Sequence, residues 1–454
     1  MLLMIVLLRF PVAFAAKPPT SLRLLAAAPL AIGVLLLLRS RRPSRAVSLL
    51  GVLAGGFVLL IMVALFRGEA AHAYADSRTV YYEVGLFFLL VTFGYLYFAS
   101  ARDKAERHHR AFILCCSPGV YVAVQAILHI VGVHHIAVSS DEVSASAGTP
   151  AQLLGLFGIH THRVLFPLAN GVVNFGDTIG ASLAASALLS IKLTGRLRHV
   201  AIALLIVSIY GLLTTDARAA LLCALGAVIV ALLVGERRAL ASVAFLVPAT
   251  TAIMSLALGL VAQTSLVETF SRKGNDLVTA TDRTVIWHAV LSFLSHFNVA
   301  QIFGYGTNGQ ISSGANAGYE YLFYGTPNPS VYSTHNFMLQ TVLDIGYMGL
   351  LVFVVLLFLT MRRLQRMISV DESIPARALL GVLLYFIFNG ATDTSPSIYS
   401  PETMYFFFLI TTCVAATRLP RKQKKAAPIR DFYRRPVVHT GSRLQGHEGA
   451  IPRV

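Results

Sequence analysis

The chain has 454 residues, of which 56% are hydrophobic and only 13% are charged. A typical soluble domain has a charged fraction of about 25%, so this composition excludes an ordinary soluble protein and indicates a polytopic membrane protein. The formal net charge of +16 would suit a nucleic-acid-binding protein, but the basic residues form short clusters between apolar runs, without interleaved stacking aromatics.

Apolar runs that could cross a bilayer recur along the whole sequence. About 20 apolar residues span the hydrocarbon core as a helix, and the runs predict about twelve spans. The first run ends in AFAAK, which resembles a signal-peptidase site, but it lacks a positively charged start, so we favour a retained helix. The predicted spans are residues 2–16, 22–38, 46–66, 79–100, 111–133, 171–191, 199–215, 217–234, 239–264, 336–360, 376–392 and 398–417.

Basic clusters occupy every second gap between the predicted spans. Lysine and arginine are enriched in cytoplasmic loops, so these gaps and both termini are predicted to be cytoplasmic. The basic tail, residues 418–454, is expected to be disordered and close to the membrane. The clusters lie at 39–45, 101–110, 192–198, 235–238, 361–366 and 418–425.

The alternate gaps are predicted to lie outside, and three of them carry polar residues of interest. They are residues 134–170, the tight turn TTDARAA at 214–220, and the long gap 265–335. Within the long gap, DRTVIWHAVLSFLSHF (282–297) has apolar residues at helical spacing and predicts an amphipathic surface helix capped by Asp282. The chain therefore divides into membrane helices over 1–264, a large external loop over 265–335, membrane helices over 336–417, and the tail.

Three arginines stand at external positions, namely Arg163, Arg218 and Arg283. The positive-inside preference does not account for arginine on this side of the membrane. A guanidinium can bond two phosphate oxygens at once, which makes each residue a candidate for binding a phosphate-containing ligand. The alternative for each is a salt bridge or a side chain that reaches to the membrane surface, and Arg218 has a ready partner in Asp216.

His335 and Asn336 begin the apolar run that follows the long gap. We predict that Ser333 or Thr334 caps this helix, which would place His335 in its first turn. There the helix dipole and nearby arginines would favour a neutral imidazole, as a general base requires. The alternative is a histidine that merely lies at the membrane interface. No metal-ligand spacing or nucleotide-binding motif accompanies these residues, so no cofactor is expected.

These segments together resemble the O-antigen ligase and polysaccharide polymerase superfamily of bacterial envelope proteins. The matching pieces are TTDARAALL, DRTVIWHAVLSFL followed by FGYGTNG, THNFMLQTVLDIGYMGL, and RVLFPLANGVVNFG. The resemblance extends roughly over residues 155–360. It implies an all-α integral membrane protein of about twelve transmembrane helices, similar to the class C glycosyltransferases, with one large periplasmic loop.

The resemblance also implies an activity at the periplasmic face of the bacterial inner membrane. A glycan would pass from undecaprenyl diphosphate to an acceptor sugar hydroxyl, without a metal ion or a sugar nucleotide. His335 would accept the hydroxyl proton, while Arg218 and Arg283 would hold the diphosphate, and the anomeric centre would invert. The residues expected to contact substrate are Arg163, Asp216, Tyr305 and Asn336.

Different acceptors fit the same predicted site. A ligase would use the lipid A core of lipopolysaccharide, whereas an O-antigen or exopolysaccharide polymerase would use a second carrier-linked repeat unit. We favour the ligase because the His-Asn segment begins its helix after one compact late loop. A twelve-helix transporter or flippase is a further alternative, although transporters usually have two related halves and charges near the middle of the membrane. Membrane lipid is an expected partner in every case, and nucleic acid is not.

Overall fold

The computed structural model describes residues 31–37, 49–71, 77–133, 149–167, 169, 171–261, 283–324, 333–397 and 401–417. This described part is all-helical, and its β-type pairing is limited to an isolated bridge between Pro150 and His162. The predicted span 2–16, most of the span 22–38, the cap Asp282 and the tail lie outside the described residues.

The long helices follow the predicted apolar runs, because each run is long enough to form a helix whose backbone groups bond internally. The predicted span 239–264 is divided into the 3-10 helix Arg238–Ala249, which contains Pro248, and an α-helix after it. The longer α-helices of the described residues are α1 Leu49–Ala71, α2 Ser77–Ala99, α3 Lys104–Ile130, α4 Val172–Lys192, α5 Arg196–Thr215, α6 Arg218–Val234, α7 Thr250–Val261, α8 Arg283–Ser295, α9 Phe337–Asp371, α10 Ile374–Gly390 and α11 Pro401–Ala416.

Six helical stretches in the described residues are long and apolar enough to cross a membrane. They are Leu49–Gly68, Lys104–Ile130, Val172–Lys192, Arg196–Thr215, Ala239–Ala257 and Phe337–Asp371. Four shorter apolar helices accompany them, at Phe87–Ala99, Arg218–Val234, Ile374–Gly390 and Glu402–Ala416. The protein is thus a helical membrane protein, and the total of twelve spans stays a prediction. The predicted surface helix 282–297 is confirmed as α8.

Helix α4 lies at the centre of the bundle. In its apolar stretch 83% of the residues are buried, against 33% in α5. Small residues let neighbours approach α4 closely, since a Cβ on Gly180 would lie 2.4 Å from the Tyr385 hydroxyl oxygen of α10. A Cβ on Gly176 would likewise lie 2.8 Å from Cβ of Ala217. This packing brings the start of α4 against the end of α10 and the start of α6.

Polar contacts between helices occur at two opposite ends of the bundle. At one end, Lys104 Nζ lies 2.6 Å from Asp371 Oδ1, and Gln365 Nε2 donates to the Arg237 carbonyl at 2.8 Å. We call this the basic end, because these residues come from or adjoin the gaps with basic clusters. Helix α9 runs from Phe337 to Asp371, so its first residues lie at the other end, which we call the site end.

Helix α9 is broken at Gly346, where the backbone has φ 78° and ψ 179°. The chain after α8 crosses α9 at this point. A Cβ on Gly346 would lie 2.2 Å from the Ile302 carbonyl oxygen, and a Cβ on Gly304 would lie 2.5 Å from the Asp344 carbonyl oxygen. Only glycine permits both the positive φ and this approach of two backbones. The break separates residues 337–345, next to the site end, from the longer part of α9.

Candidate active site

His335 lies just before α9 and outside its first turn. Asn336 is the N-cap, because its Oδ1 accepts the Leu339 N–H at 3.1 Å and its Nδ2 donates to the Ala391 carbonyl at 2.9 Å. The prediction that Ser333 or Thr334 caps the helix is therefore wrong, and asparagine is among the preferred caps. His335 itself has φ 47°, a left-handed conformation that costs energy for any residue except glycine and often occurs at functional sites.

Three ionisable side chains from separate elements converge beside this histidine. Asp393, in the turn after α10, has Oδ1 3.9 Å from His335 Nδ1 and Oδ2 3.7 Å from Arg283 Nη2. Arg283, the first residue of α8, also donates from Nη1 to the Thr392 carbonyl. Both separations from Asp393 exceed hydrogen-bond length. The carboxylate thus lies close to the imidazole and the guanidinium without a hydrogen bond to either one. We call these three residues the open cluster.

The electrostatics of the open cluster centre on Asp393. Burial raises the pKa of this carboxyl, but His335 and the positive charge of Arg283 lower it by more, so its pKa lies below the ordinary value. The backbone N–H of Thr394 also donates to Oδ1 at 2.7 Å. Asp393 is therefore a carboxylate at neutral pH. A carboxylate near Nδ1 can orient a histidine so that Nε2 is available to a substrate.

A second buried carboxyl group lies behind the open cluster, on α4. Asp177 is only 2% exposed, and its Oδ1 accepts from Asn389 Nδ2 at 2.8 Å. Its Oδ2 has no hydrogen-bond partner among the described residues. The carbonyl of Asn389 accepts the Asp393 N–H at 2.8 Å, so Asn389 joins Asp177 to the turn that carries Asp393.

A neighbouring group at the site end consists of Arg218, Asp216, Arg163 and Gln152. We call these four residues the closed cluster. Asp216 ends α5 with φ 53°, and its carboxylate lies 3.0 Å from Arg218 Nη2 and 3.2 Å from Arg218 Nε. It also accepts the Leu153 N–H at 3.1 Å. Arg218 donates further to Gln152 Oε1, and Arg163 Nε donates to the Thr215 carbonyl at 2.8 Å.

The remaining predicted substrate-contacting residues are Asn336 and Tyr305. Both lie at the site end, where they make contacts with other residues of the protein. Asn336 is fully buried and uses both ends of its amide inside the protein, as cap and as donor to Ala391. Tyr305 donates its backbone N–H to the Leu343 carbonyl at 2.7 Å, and its ring centroid lies 6.1 Å from that of Phe293. Substrate contacts by either residue stay a prediction.

Sequence reasoning missed Asp393, Asp177 and Asn389. Asp393 lies in ATDTSPS, at the short gap between the predicted spans 376–392 and 398–417. Asp177 lies inside the apolar run NFGDTIGAS, and an ionisable residue in such a run is itself a signal of function. That rule could have found Asp177, whereas Asp393 lies in a gap between spans, where an acidic residue is ordinary. Their pairing with Arg283 and Asn389 could not have been found, because it depends on how α4, α8 and α10 pack.

The arrangement supplies a candidate base, a carboxylate that can orient it, and guanidinium groups that can bind an anion. Across the described residues, no group of three or more His, Cys, Asp or Glu side chains is placed to hold a metal ion. These components suit a transfer in which a proton is removed from one group and negative charge develops on another.

Residues 203–354 match the model of a protein family described as O-Antigen ligase. The match includes Asp216, Arg218, Arg283 and His335, whereas Arg163 and Asp393 lie outside it. No curated protein matches the chain, and no solved structure matches it either. The matched segment, which runs from α5 into α9 and carries the predicted catalytic residues, supports the predicted resemblance to the O-antigen ligase and polymerase superfamily.

Proposed function

We propose that the protein transfers a glycan from undecaprenyl diphosphate to a sugar hydroxyl at the periplasmic face of the bacterial inner membrane. The family match supports lipid-linked glycans in general as substrates. The observation that carries the proposal is the convergence of His335, Arg283 and Asp393 at one end of the helical bundle. The reaction inverts the anomeric centre and uses no metal ion.

His335 is the general base of the proposed reaction. Its Nε2 takes the proton of the acceptor hydroxyl as that oxygen attacks the anomeric carbon of the carrier-linked sugar. Asp393 faces Nδ1 at 3.9 Å and balances the positive charge that the imidazole gains. In a substrate-free site such contacts are often long, and they tighten when the substrate is bound.

Arg283 and Arg218 act on the leaving group. The bond between the anomeric carbon and the diphosphate oxygen breaks as the new glycosidic bond forms, and undecaprenyl diphosphate departs with the electron pair. Guanidinium groups at that oxygen stabilise the developing charge. Arg283 lies only 3.7 Å from the carboxylate that faces the base, so the base and the anion site share one charge network.

The orientation of the protein follows from its charge distribution. Residues in or beside the basic clusters meet at the basic end, as in the pair Lys104–Asp371. If that end is cytoplasmic, as the positive-inside rule predicts, then His335 faces the periplasm and the C-terminus faces the cytoplasm. A reactive-cysteine label at the site end, on a His160→Cys variant, would test this. It should react with a reagent that cannot cross the inner membrane.

The ligase assignment needs a test in the host. We would delete the gene and weigh the glycan that remains on the undecaprenyl carrier. Long polymer on the carrier, with none on the lipid A core, is the expected result for a ligase. A single repeat unit left on the carrier would instead identify a polymerase. The acceptor would then be a second carrier-linked repeat unit, and His335, Arg218 and Arg283 would keep their roles.

The catalytic proposal needs a variant that still inserts into the membrane. We would restore the deletion strain with His335→Ala at wild-type abundance and follow transfer. We expect transfer to be abolished. Normal transfer by an abundant His335→Ala protein would refute the proposed base, and transport of the glycan without any covalent product would refute the transferase assignment.

A further inference from the structure

The backbone of Thr334, the residue before His335, is held by side chains from two helices. The Thr334 N–H donates to Gln340 Oε1 at 3.1 Å, and the Thr334 carbonyl accepts from Trp287 Nε1 of α8 at 3.1 Å. Thr334 Oγ1 also donates to the Asn336 carbonyl at 3.0 Å. Thr334, Gln340 and Trp287 are at most 1% exposed. The left-handed backbone of His335 is therefore fixed by hydrogen bonds on its N-terminal side.

Gln340 has a second set of partners in the glycine-rich loop, residues 304–310. Its Nε2 donates at 2.9 Å both to Gln310 Oε1 and to Asp344 Oδ1. Asp344 Oδ1 in turn accepts the Gly309 N–H at 2.8 Å. Gln340, Gln310 and Asp344 are all buried. The buried side-chain amide of Gln340 thus connects the glycine-rich loop to the backbone of Thr334, next to His335.

Burying an apolar side chain of similar size in this part of α9 would cost less free energy than burying glutamine. A buried polar group is unfavourable unless all its hydrogen bonds are made. Fully bonded buried polar groups fix one arrangement of the surrounding backbone. A residue held in a left-handed conformation needs such fixing, since the surrounding structure must over-determine it. The contacts of Gln340 meet this need at His335.

We propose that Gln340 is a positioning residue that sets the orientation of His335 and couples it to the glycine-rich loop. This inference rests on the proposed function, because it assigns Gln340 a role that acts through the base. The loop is itself locked to α9 by Gly304 and Gly346, whose backbones approach too closely for a side chain. The position of the loop therefore determines where Gln340, and hence His335, can lie.

The test compares three substitutions of glutamine by methionine, which has a similar length and no amide. Gln340→Met removes both sets of bonds, whereas Gln310→Met removes only a partner on the loop side. Gln365→Met is the matched control, because Gln365 is also buried on α9 but donates to the Arg237 carbonyl at the basic end. For each purified variant we would measure kcat and the donor KM for transfer from a carrier-linked glycan, together with the melting temperature.

We expect Gln340→Met to lower kcat about 100-fold, the loss typical of a 1 Å misplacement of a catalytic group, with the donor KM changed less than about twofold. Gln310→Met should lower kcat about tenfold, because Gln340 keeps its bond to Thr334. Gln365→Met should match the wild type.

Two results would overturn the inference while leaving the proposed function intact. One is a kcat within threefold of the wild type for Gln340→Met. The other is a kcat loss accompanied by a lower melting temperature and a donor KM raised by a similar factor, which would make Gln340 a structural residue only. If the wild-type protein itself forms no glycosidic product, the proposed function fails, and the inference that rests on it fails too.

Discussion

Arg218 and Arg283 each begin a helix at the site end, yet their carboxylate partners hold them differently. Asp216 contacts Arg218 at 3.0 and 3.2 Å and closes the pair. Asp393 lies 3.7 Å from Arg283 and turns its other oxygen towards His335. The closed cluster already satisfies its arginine, whereas the carboxylate of the open cluster is shared, at longer distances, between Arg283 and the candidate base. The comparison teaches that two arginines that each begin a helix can be held to different degrees by their carboxylate partners.

The largest expected effect comes from the base of the open cluster. Replacing His335 by Gln removes the proton acceptor and should lower kcat for transfer about 1,000-fold. The matched control is His288→Gln, because His288 is an exposed histidine on α8, the helix that begins with Arg283. Transfer should be measured with carrier-linked glycan as donor. A similar loss in both variants would show that the effect is not specific to His335.

The comparison of the two arginines is sharpened by Arg283→Lys and Arg218→Lys. Lysine keeps the charge but loses the planar fork that bonds two oxygens. We expect Arg283→Lys to lower kcat/KM about 100-fold and Arg218→Lys about tenfold, because Asp216 and Gln152 already engage Arg218. Equal losses in the two variants would contradict the distinction between open and closed clusters.

The role of Asp393 predicts a smaller kinetic effect. Asp393→Asn keeps the shape of the side chain but cannot balance an imidazolium at His335, so kcat should fall about 30-fold. The double variant with His335→Gln should be no slower than His335→Gln alone, since Asp393 acts through the histidine. Additive losses would mean that Asp393 has a separate function.

The closed cluster should respond in stability more than in catalysis. Asp216→Asn removes the charge that pairs with Arg218, and we expect the free energy of unfolding to fall by about 2 kcal/mol. Unfolding by denaturant in detergent would measure this loss. A variant of unchanged stability but strongly reduced kcat would indicate that Asp216 belongs to the catalytic machinery.

The smallest expected effect is in the acid stability of the open cluster. The pKa of Asp393 is lower in the fold than the value of about 3.9 expected for an unfolded chain. Its contribution to stability is therefore complete above about pH 4 and is lost as the pH falls through the folded-state pKa. Wild-type protein should lose more thermal stability below pH 4 than Asp393→Asn does. Parallel curves would contradict the lowered pKa.

Much of the fold follows from the sequence, because apolar length decides where membrane helices form. The runs at 171–191 and 199–215 correspond to α4 and α5, and the spacing in 282–297 predicts α8. The break at Gly346 does not follow from that rule, since DIGYMGL lies inside the run 336–360, which is predicted to be one continuous span. Only the crossing of the loop at Ile302 and Gly304 makes the left-handed glycine necessary.

The candidate site is predictable in part for a similar reason. Arg218 and Arg283 stand out because the positive-inside preference does not account for arginine at external helix ends, and His335 stands out because it begins an apolar run. The predicted cap of α9 is wrong because Ser333, Thr334 and Asn336, which lie within four residues of one another, are all types that are preferred at N-caps. The partners of the site residues depend on long-range packing, as when Asp393, after α10, approaches Arg283 at the start of α8.

The break at Gly346 also bears on how the protein sits in lipid. A long helix adjusts its tilt to the thickness of the bilayer, and a rigid rod would carry that tilt to both of its ends. Because α9 has separate axes before and after Gly346, residues 337–345 are oriented by the crossing loop rather than by the longer part of the helix. The orientation of His335, which precedes these residues, therefore does not follow the tilt that the thickness of the membrane imposes on the longer part of α9.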